Sequence, residues 1–239
     1  MQFSDRILVC GLVRDVQHSI CHEISRLSQS MKGFSEVHSY LVESDSKDCT
    51  LEELEKLRNS SIKLDFVSLG ILSTMIPDRV ERIRHCRNKY IEFIRVNSEK
   101  FDYVLVADLD GINSRFSRRA LESSFTGNVN WDMCAANQIG GYYDIYALRA
   151  KGWCESDYQR EIEDKSEGLN PRQLFQLRTE LIYDRMRKIS RKSSWIPVDS
   201  AFGGLAVYKT DMFLRADYTP IEDSVSRQCE HVDFNLKLR

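Results

Sequence analysis

Residues 101–111, FDYVLVADLDG, do more than any other stretch to limit the folds open to this chain. The run from Tyr103 to Ala107 has no charged interruption and needs cover on both faces, as an inner strand of a mostly parallel sheet has it, with helices on either side. It ends in Asp108 and Asp110, which places both aspartates at the carboxyl edge of that strand, where open α/β sheets collect their ligands. Alternate residues of an extended segment share a face, and two carboxylates aimed at one spot require a cation between them. A divalent ion such as Mn²⁺ or Mg²⁺, carrying a diphosphate, meets that need. A D-x-D in a solvated turn also arises by chance, so the motif gains weight only from its surroundings.

Those surroundings alternate in the manner of βαβ units. Strands are predicted over 6–13, 37–43 and 64–69, and helices over 16–31, 51–57 and 78–97, with Asp15 as the candidate cap of the first helix and Pro77 just ahead of the third. Such alternation implies crossovers onto a mostly parallel sheet, the layout of a nucleotide-binding half, residues 1–111. Beyond residue 130 the pattern changes: strands are predicted over 132–137 and 142–148 around Gly140 and Gly141, a helix over 171–188, and strand segments over 195–208 broken by Gly203 and Gly204. With no repeat or linker between them, the two halves are expected to form one domain over 1–239.

A net charge of −2 argues against a nucleic-acid binder. Seven scattered cysteines without a C-x-x-C pair suit a reducing compartment. No segment reaches the length of a membrane span, and the first apolar run is too short for a signal peptide, so a cytoplasmic protein is expected.

Several polar residues sit where composition does not explain them. Val80, Ile83, Tyr90 and Ile94 recur at helical spacing, and Arg87 falls on the same stripe, where a guanidinium must find an anion. Either it snorkels outward or pairs with a buried carboxylate, or, with Arg84 and Asn88, it reaches a phosphate near Asp108. The turn LVESDSKDCT follows the second strand. It either caps the next helix or uses Glu43, Ser44 and Asp45 to recognise a nucleoside. Arg14, at the end of the first strand, joins this donor-contacting set. In CEHVDF, His231 is either structural or a third metal ligand beside the two aspartates. Asp199, ahead of Gly203 and Gly204, either caps a turn or serves chemistry. The basic run that begins at Arg185 and continues to Lys192 is either a solvated face or a peripheral contact with an anionic membrane surface or with a phosphorylated acceptor.

Together, LVESDSKDCT, RHCRNKYIEF, VADLDG, YYDIYALR, SAFGGLAVYK and CEHVDF resemble, in that order, the motifs of nucleotide-sugar glycosyltransferases of the GT-A fold. Within that class the chain looks most like the cryptococcal α-1,3-mannosyltransferase and capsule-associated group with its bacterial and viral relatives. The resemblance implies a Rossmann-like, mostly parallel sheet flanked by helices, with a smaller mixed sheet toward the carboxyl terminus in an acceptor half, residues 130–239. It implies sugar transfer from a nucleoside diphosphate sugar, UDP- or GDP-linked, to a hydroxyl of a glycan or lipid-linked acceptor in surface polysaccharide, lipopolysaccharide or viral glycan synthesis. Asp108, Asp110 and His231 would hold the metal, Arg84 and Arg87 would assist the leaving diphosphate, and Asp199 or Glu230 would take the acceptor proton if the reaction inverts. Two other readings compete. VLVADLDG superficially matches the nucleophile strand of haloacid-dehalogenase-type phosphatases, although that motif normally lies on the first strand. A sugar-nucleotide or glycan-binding module without turnover is the other, since a fold does not decide function.

Overall fold

A computed structural model describes residues 4–126, 129–221 and 228–239 of the chain. Its centre is a six-stranded sheet in the order β3-β2-β1-β4-β6-β5. The strands are β1 (Arg6–Val13), β2 (Glu36–Glu43), β3 (Leu64–Ser68), β4 (Tyr103–Ala107), β5 (Met133–Ala135) and β6 (Leu205–Lys209). The first four are parallel, whereas β6 runs antiparallel to β4 and to β5. The mixed part expected toward the carboxyl terminus therefore lies in β5 and β6, which extend this same sheet.

The helices are α1 (Ile20–Ser30), α2 (Thr50–Arg58), α3 (Arg79–Val96), α4 (Arg118–Ser124), α5 (Tyr158–Lys165), α6 (Pro171–Arg178), α7 (Thr210–Phe213) and α8 (Glu230–Leu236). The pleat of β1 sorts them into two layers. Ile7 and Val9 face Ile24, Leu27, Leu54 and Leu121 of α1, α2 and α4. Leu8 and Cys10 face Tyr90, Ile94, Phe213, Val232 and Phe234 of α3, α7 and α8. With both faces covered, β1 is apolar from Ile7 to Val13 and β4 from Tyr103 to Ala107, as inner strands require.

Helix α3 begins where the sequence places it. Asp78 accepts a hydrogen bond from the Glu81 N–H at 3.0 Å, which satisfies one of the free donors of the first turn. Its buried stripe differs from the expected one, since Val80 and Ile83 are half-buried while Arg84, Arg87, Tyr90, Ile91 and Ile94 are buried. Two arginines thus enter the core from one helix.

Three expectations are corrected. Asp15 does not cap α1. Ser19 holds that position, and Asp15, with φ of 53°, instead accepts from the Lys47 N–H and ties the end of β1 to the turn after β2. Residues 142–148 form turns rather than a strand, because Asp144 accepts from the Ala147 N–H and Ile145 N–H bonds to the Tyr143 carbonyl. The helix predicted over 171–188 ends early: α6 is followed by a π turn, Thr179–Tyr183, with i to i+5 geometry.

Candidate active site at the carboxyl edge of the sheet

The D-x-D segment leaves β4 with its middle residue turned into the core. Leu109 is buried against Gly11 of β1, where a Cβ would lie 2.5 Å from the Leu109 Cδ1. Glycine at position 11 therefore admits the Leu109 side chain, and Asp108 and Asp110 are left facing the other way. Asn113 secures the turn from below, donating to the carbonyls of Asp108 and Gly204 at 2.8 and 2.9 Å. Gly204 itself, at φ of +83°, allows the loop ahead of β6 to pass within contact of Ile112 and Tyr143.

Two carboxylates, Glu230 and Asp108, share one cation here, with Asp110 and Asp144 close enough for their charges to act on Asp108. Arg87 donates through Nε to Glu230 Oε1 at 3.0 Å, and its Nη2 lies 3.9 Å from Asp108 Oδ1. Its guanidinium is held between Phe202 and Tyr218, each ring centroid 5.6 Å away, and it also donates to the Tyr90 hydroxyl. Asp144 completes the group, accepting from the backbone N–H groups of Gly203 and Ala147 at 2.9 and 3.2 Å.

The charge is unbalanced. Burial pushes the pKa of Asp108 up to about 7; Arg87 opposes the rise, and the charges of Asp110, Asp144 and Glu230 add to it. The side chain is nonetheless 40% exposed, so a ligand can reach it. Burial raises Asp144 as well, despite its two backbone donors. Beside them Tyr143 is held protonated, first by burial and then by Asp144, Asp108 and Asp110.

This surplus of negative charge fits a divalent cation that keeps part of its coordination for substrate oxygens and water, as Mg²⁺-like ions do when one or two carboxylates hold them. Among the described residues no three His, Cys, Asp and Glu side chains form a ready-made metal cage. The expected set of Asp108, Asp110 and His231 is therefore not assembled. His231 is stacked on Phe202 with centroids 3.9 Å apart and meets Tyr218 edge-on. Among the described residues both buried ring nitrogens lack a hydrogen-bond partner, Nε2 lying 3.7 Å from Glu230 Oε1, and burial together with Arg87 holds the imidazole neutral.

The remaining expected residues fall outside this cluster. Arg84 is buried and donates through Nη2 to Asp233 at 2.5 Å and to the Gln228 carbonyl, and no described contact joins it to the carboxylate cluster. Asn88 accepts from the Tyr218 N–H and holds that segment. Asp199 pairs with Arg239 at 2.9 Å, and no described contact joins it to the carboxylate cluster.

At the edges of β1 and β2 the acidic turn is largely self-satisfied. Glu43 is buried and accepts from the Ser46 N–H and the Ser68 hydroxyl. Asp45, at φ of 62°, accepts from the Ser73 N–H and lies 3.9 Å from Arg82. Burial would raise its pKa, but the Ser73 hydrogen bonds and Arg82 hold it below the usual carboxylate range. Ser44 lies 3.6 Å from the Cys86 thiol, and Arg14 stands exposed 3.7 Å from Asp15. The turn therefore builds a rigid rim, on which Arg14 is an accessible cation.

Asp144 is the site residue that spacing rules miss. Its signal was its place in YYDIYALR just after the glycine pair Gly140–Gly141, with no second acid nearby to mark it.

The fold was compared with solved structures once this geometry was clear. The chain superposes on the mannosyltransferase PcManGT of Pyrobaculum calidifontis, solved with GDP-Man and Mn²⁺, at a TM-score of 0.54 and 12% identity, covering 96% of this chain and 51% of that one. It shares the GT-A fold. S. aureus TarS 1-349 aligns over 98% of this chain and 55% of its own at 14% identity and a TM-score of 0.47. Glucosyl-3-phosphoglycerate synthase of Mycobacterium tuberculosis, solved with Mn²⁺, UDP and phosphoglyceric acid, aligns over 89% and 58% at 12% identity and a TM-score of 0.38. The chain thus spans little more than half the length of these proteins. No protein-family model matches it, and no curated protein matches it. The D-x-D lies on the fourth strand in sequence, next to β1 and β6, and not on a first strand as the phosphatase reading needs. Among the described residues no helix is long and apolar enough to cross a membrane.

Proposed function

We propose that this chain is a metal-dependent glycosyltransferase that moves a sugar from a UDP- or GDP-linked donor to a hydroxyl of a glycan or lipid-linked acceptor. The observation that carries this reading is the acidic group at the carboxyl edge of β4, where Arg87 bonds Glu230 and lies 3.9 Å from Asp108 while the charges of Asp110 and Asp144 also act on Asp108. That arrangement attracts a divalent cation and leaves its outer coordination to a diphosphate. The shared fold supports it, since PcManGT was solved with GDP-Man and Mn²⁺.

In this reading Asp108 and Asp110 hold Mn²⁺ or Mg²⁺, and the ion, when bound, neutralises the leaving diphosphate. Arg87 keeps Asp108 and Glu230 in place and prevents their mutual repulsion. The rim of Glu43, Ser44 and Asp45, with Arg14, receives the nucleoside. If the reaction inverts, Asp144, whose proton affinity burial raises, is the candidate that takes the acceptor proton. Glu230 is ion-paired with Arg87 and Asp199 with Arg239, and a cationic partner lowers a carboxylate's proton affinity, whereas Asp144 accepts from backbone N–H groups.

A membrane role for the basic run is not favoured. Arg185 bonds Glu161 at 2.9 Å, and Arg187 lies over Trp153 and donates to the Gly152 carbonyl.

The test is a thermal-shift screen of UDP, GDP, CMP and their sugar conjugates with and without Mn²⁺, repeated on Asp110→Ala, because a ligand bound only by the native state raises the melting temperature. A metal-dependent shift with one nucleoside diphosphate, lost in the variant, is expected. No shift with any nucleotide would overturn the donor site.

A further inference from the structure

The carboxyl-terminal half holds a second concavity that the donor site does not use. Helices α5 and α6, with the π turn that follows, enclose a cleft of about 510 Å³ lined by Tyr158, Gln159, Phe175, Arg178, Ile182 and Tyr183. That volume falls inside the range of small-molecule sites, about 300–1,000 Å³.

The cleft is built from helices that bury nothing completely. Neither α5 nor α6 contains a fully buried residue, and Phe175 and Tyr183 are 69% and 60% exposed. Polar fastenings hold them in place. Asp157 caps α5 by accepting from Gln159 N–H and pairs with Arg149 at 3.0 Å. Asn170 and Gln173 form a reciprocal capping box at the start of α6. Arg185 then ties the segment after the π turn to Glu161 of α5. The aromatic side chains are thus carried by a fixed frame. The π turn supplies Ile182 and Tyr183 to the cleft, and such turns are rare and recur at functional sites.

One ring contact and the charges of the carboxylate cluster mark the side of the cleft that faces it. Tyr158 meets Tyr146 edge-on with centroids 6.0 Å apart, and Tyr146 lies within electrostatic reach of Glu230. Tyr158 in turn feels the charge of Asp144.

The lining identifies the ligand class. Aromatic faces suit the C–H face of a pyranose ring, while the planar amide of Gln159 and the guanidinium of Arg178 can each bond a pair of adjacent hydroxyls. Glu163, also on the wall, offsets Arg178, so the cleft offers no charge excess for a phosphate or a nucleic acid. We propose that this cleft seats the saccharide acceptor, with Phe175 and Tyr183 stacking on its sugar rings. The acceptor assignment rests on the transferase reading above.

The test titrates the full chain, without nucleotide or metal, with methyl glycosides and di- to tetrasaccharides of glucose, mannose, galactose and N-acetylglucosamine, followed by saturation-transfer NMR. One sugar series is expected to bind, and Phe175→Ala and Tyr183→Ala are each expected to weaken it about tenfold, with unchanged circular dichroism and melting. Equal affinity in both variants, or no binding by any sugar in the panel, would overturn the cleft. Vesicles of phosphatidylglycerol that sediment with the wild type but not with the variants, without a sugar response, would assign it to lipid and overturn it too. Failure of the two readings is separable. Sugar binding without any nucleotide response removes the transferase and keeps a saccharide cleft, whereas a nucleotide response without sugar binding does the reverse.

Discussion

Replacing Arg87 by methionine tests the electrostatic design of the site in isolation from catalysis. The side chain is 5% exposed and is hydrogen-bonded to Glu230 at 3.0 Å, with Asp108 at 3.9 Å. Methionine keeps much of the packing between Phe202 and Tyr218 and removes the charge. Breaking a buried ion pair from one side costs about 3–5 kcal/mol, because the partner stays behind uncompensated. Asp108 adds little beyond that, since it is partly open to solvent and screened. A loss of about 4 kcal/mol is therefore expected in urea unfolding at pH 8, a large share of the roughly 5–15 kcal/mol of a typical domain. The sign of the pH dependence follows from the carboxylates. Asp108 has a folded-state pKa of about 7, above its value of about 3.9 in unfolded chains. Its contribution is thus fully present below the unfolded value and is lost as pH rises through the folded one. Removing Arg87 raises that folded value further, so the variant should regain stability as the pH falls from 8 to 6, more steeply than the wild type. Pairing the change with Glu230→Met should recover about half of the loss or more, since a buried pair replaced by apolar groups is often neutral. A loss below about 1 kcal/mol at pH 8, or a double variant no better than the single one, would refute the reasoning.

The remaining expectations follow from the same cluster. Metal-dependent nucleotide binding should strengthen from pH 6 to 8 with a midpoint near the Asp108 value of about 7, and Asp108→Asn should flatten that dependence in calorimetric titration. Asp144→Asn should lower turnover by about 10²–10⁴ if it is the base, while its melting temperature at pH 8 holds or rises, because a carboxylate with raised proton affinity is removed. Gly11→Ala should cost about 1–3 kcal/mol in urea unfolding through overpacking and should abolish the Mn²⁺-dependent shift, because the new methyl displaces Leu109 and with it both aspartates.

Much of this architecture was legible in the sequence, for reasons visible in particular residues. The inner strands β1 and β4 stood out through the unbroken apolar runs from Ile7 to Val13 and from Tyr103 to Ala107, as cover on both faces requires, and Asp78 marked the start of α3 because its carboxylate caps it. The D-x-D direction was legible too, since Leu109 had to point inward if its neighbours pointed out. Other features depended on distant partners. Nothing near Arg84 announced Asp233, 149 positions away, as its counter-ion. The tyrosines of 142–148 favoured a strand, but Asp144 bent the backbone by accepting its own turn hydrogen bond. His231 drew notice as a metal ligand from its neighbours in sequence, whereas its ring packs against Phe202 and Tyr218. The acidic turn was open to two readings, and the hydrogen bonds of Glu43 and Asp45 show it acting first as a rim that supports itself.

The most direct measurement is release of nucleoside diphosphate from a panel of UDP- and GDP-linked sugars, with Mn²⁺ or chelator, in the presence and absence of the oligosaccharides named above. The account predicts that one donor is consumed, that chelation stops it, that an acceptor sugar accelerates it and that Asp110→Ala is inactive while remaining folded. Release that proceeds equally with chelator or in Asp110→Ala would contradict it.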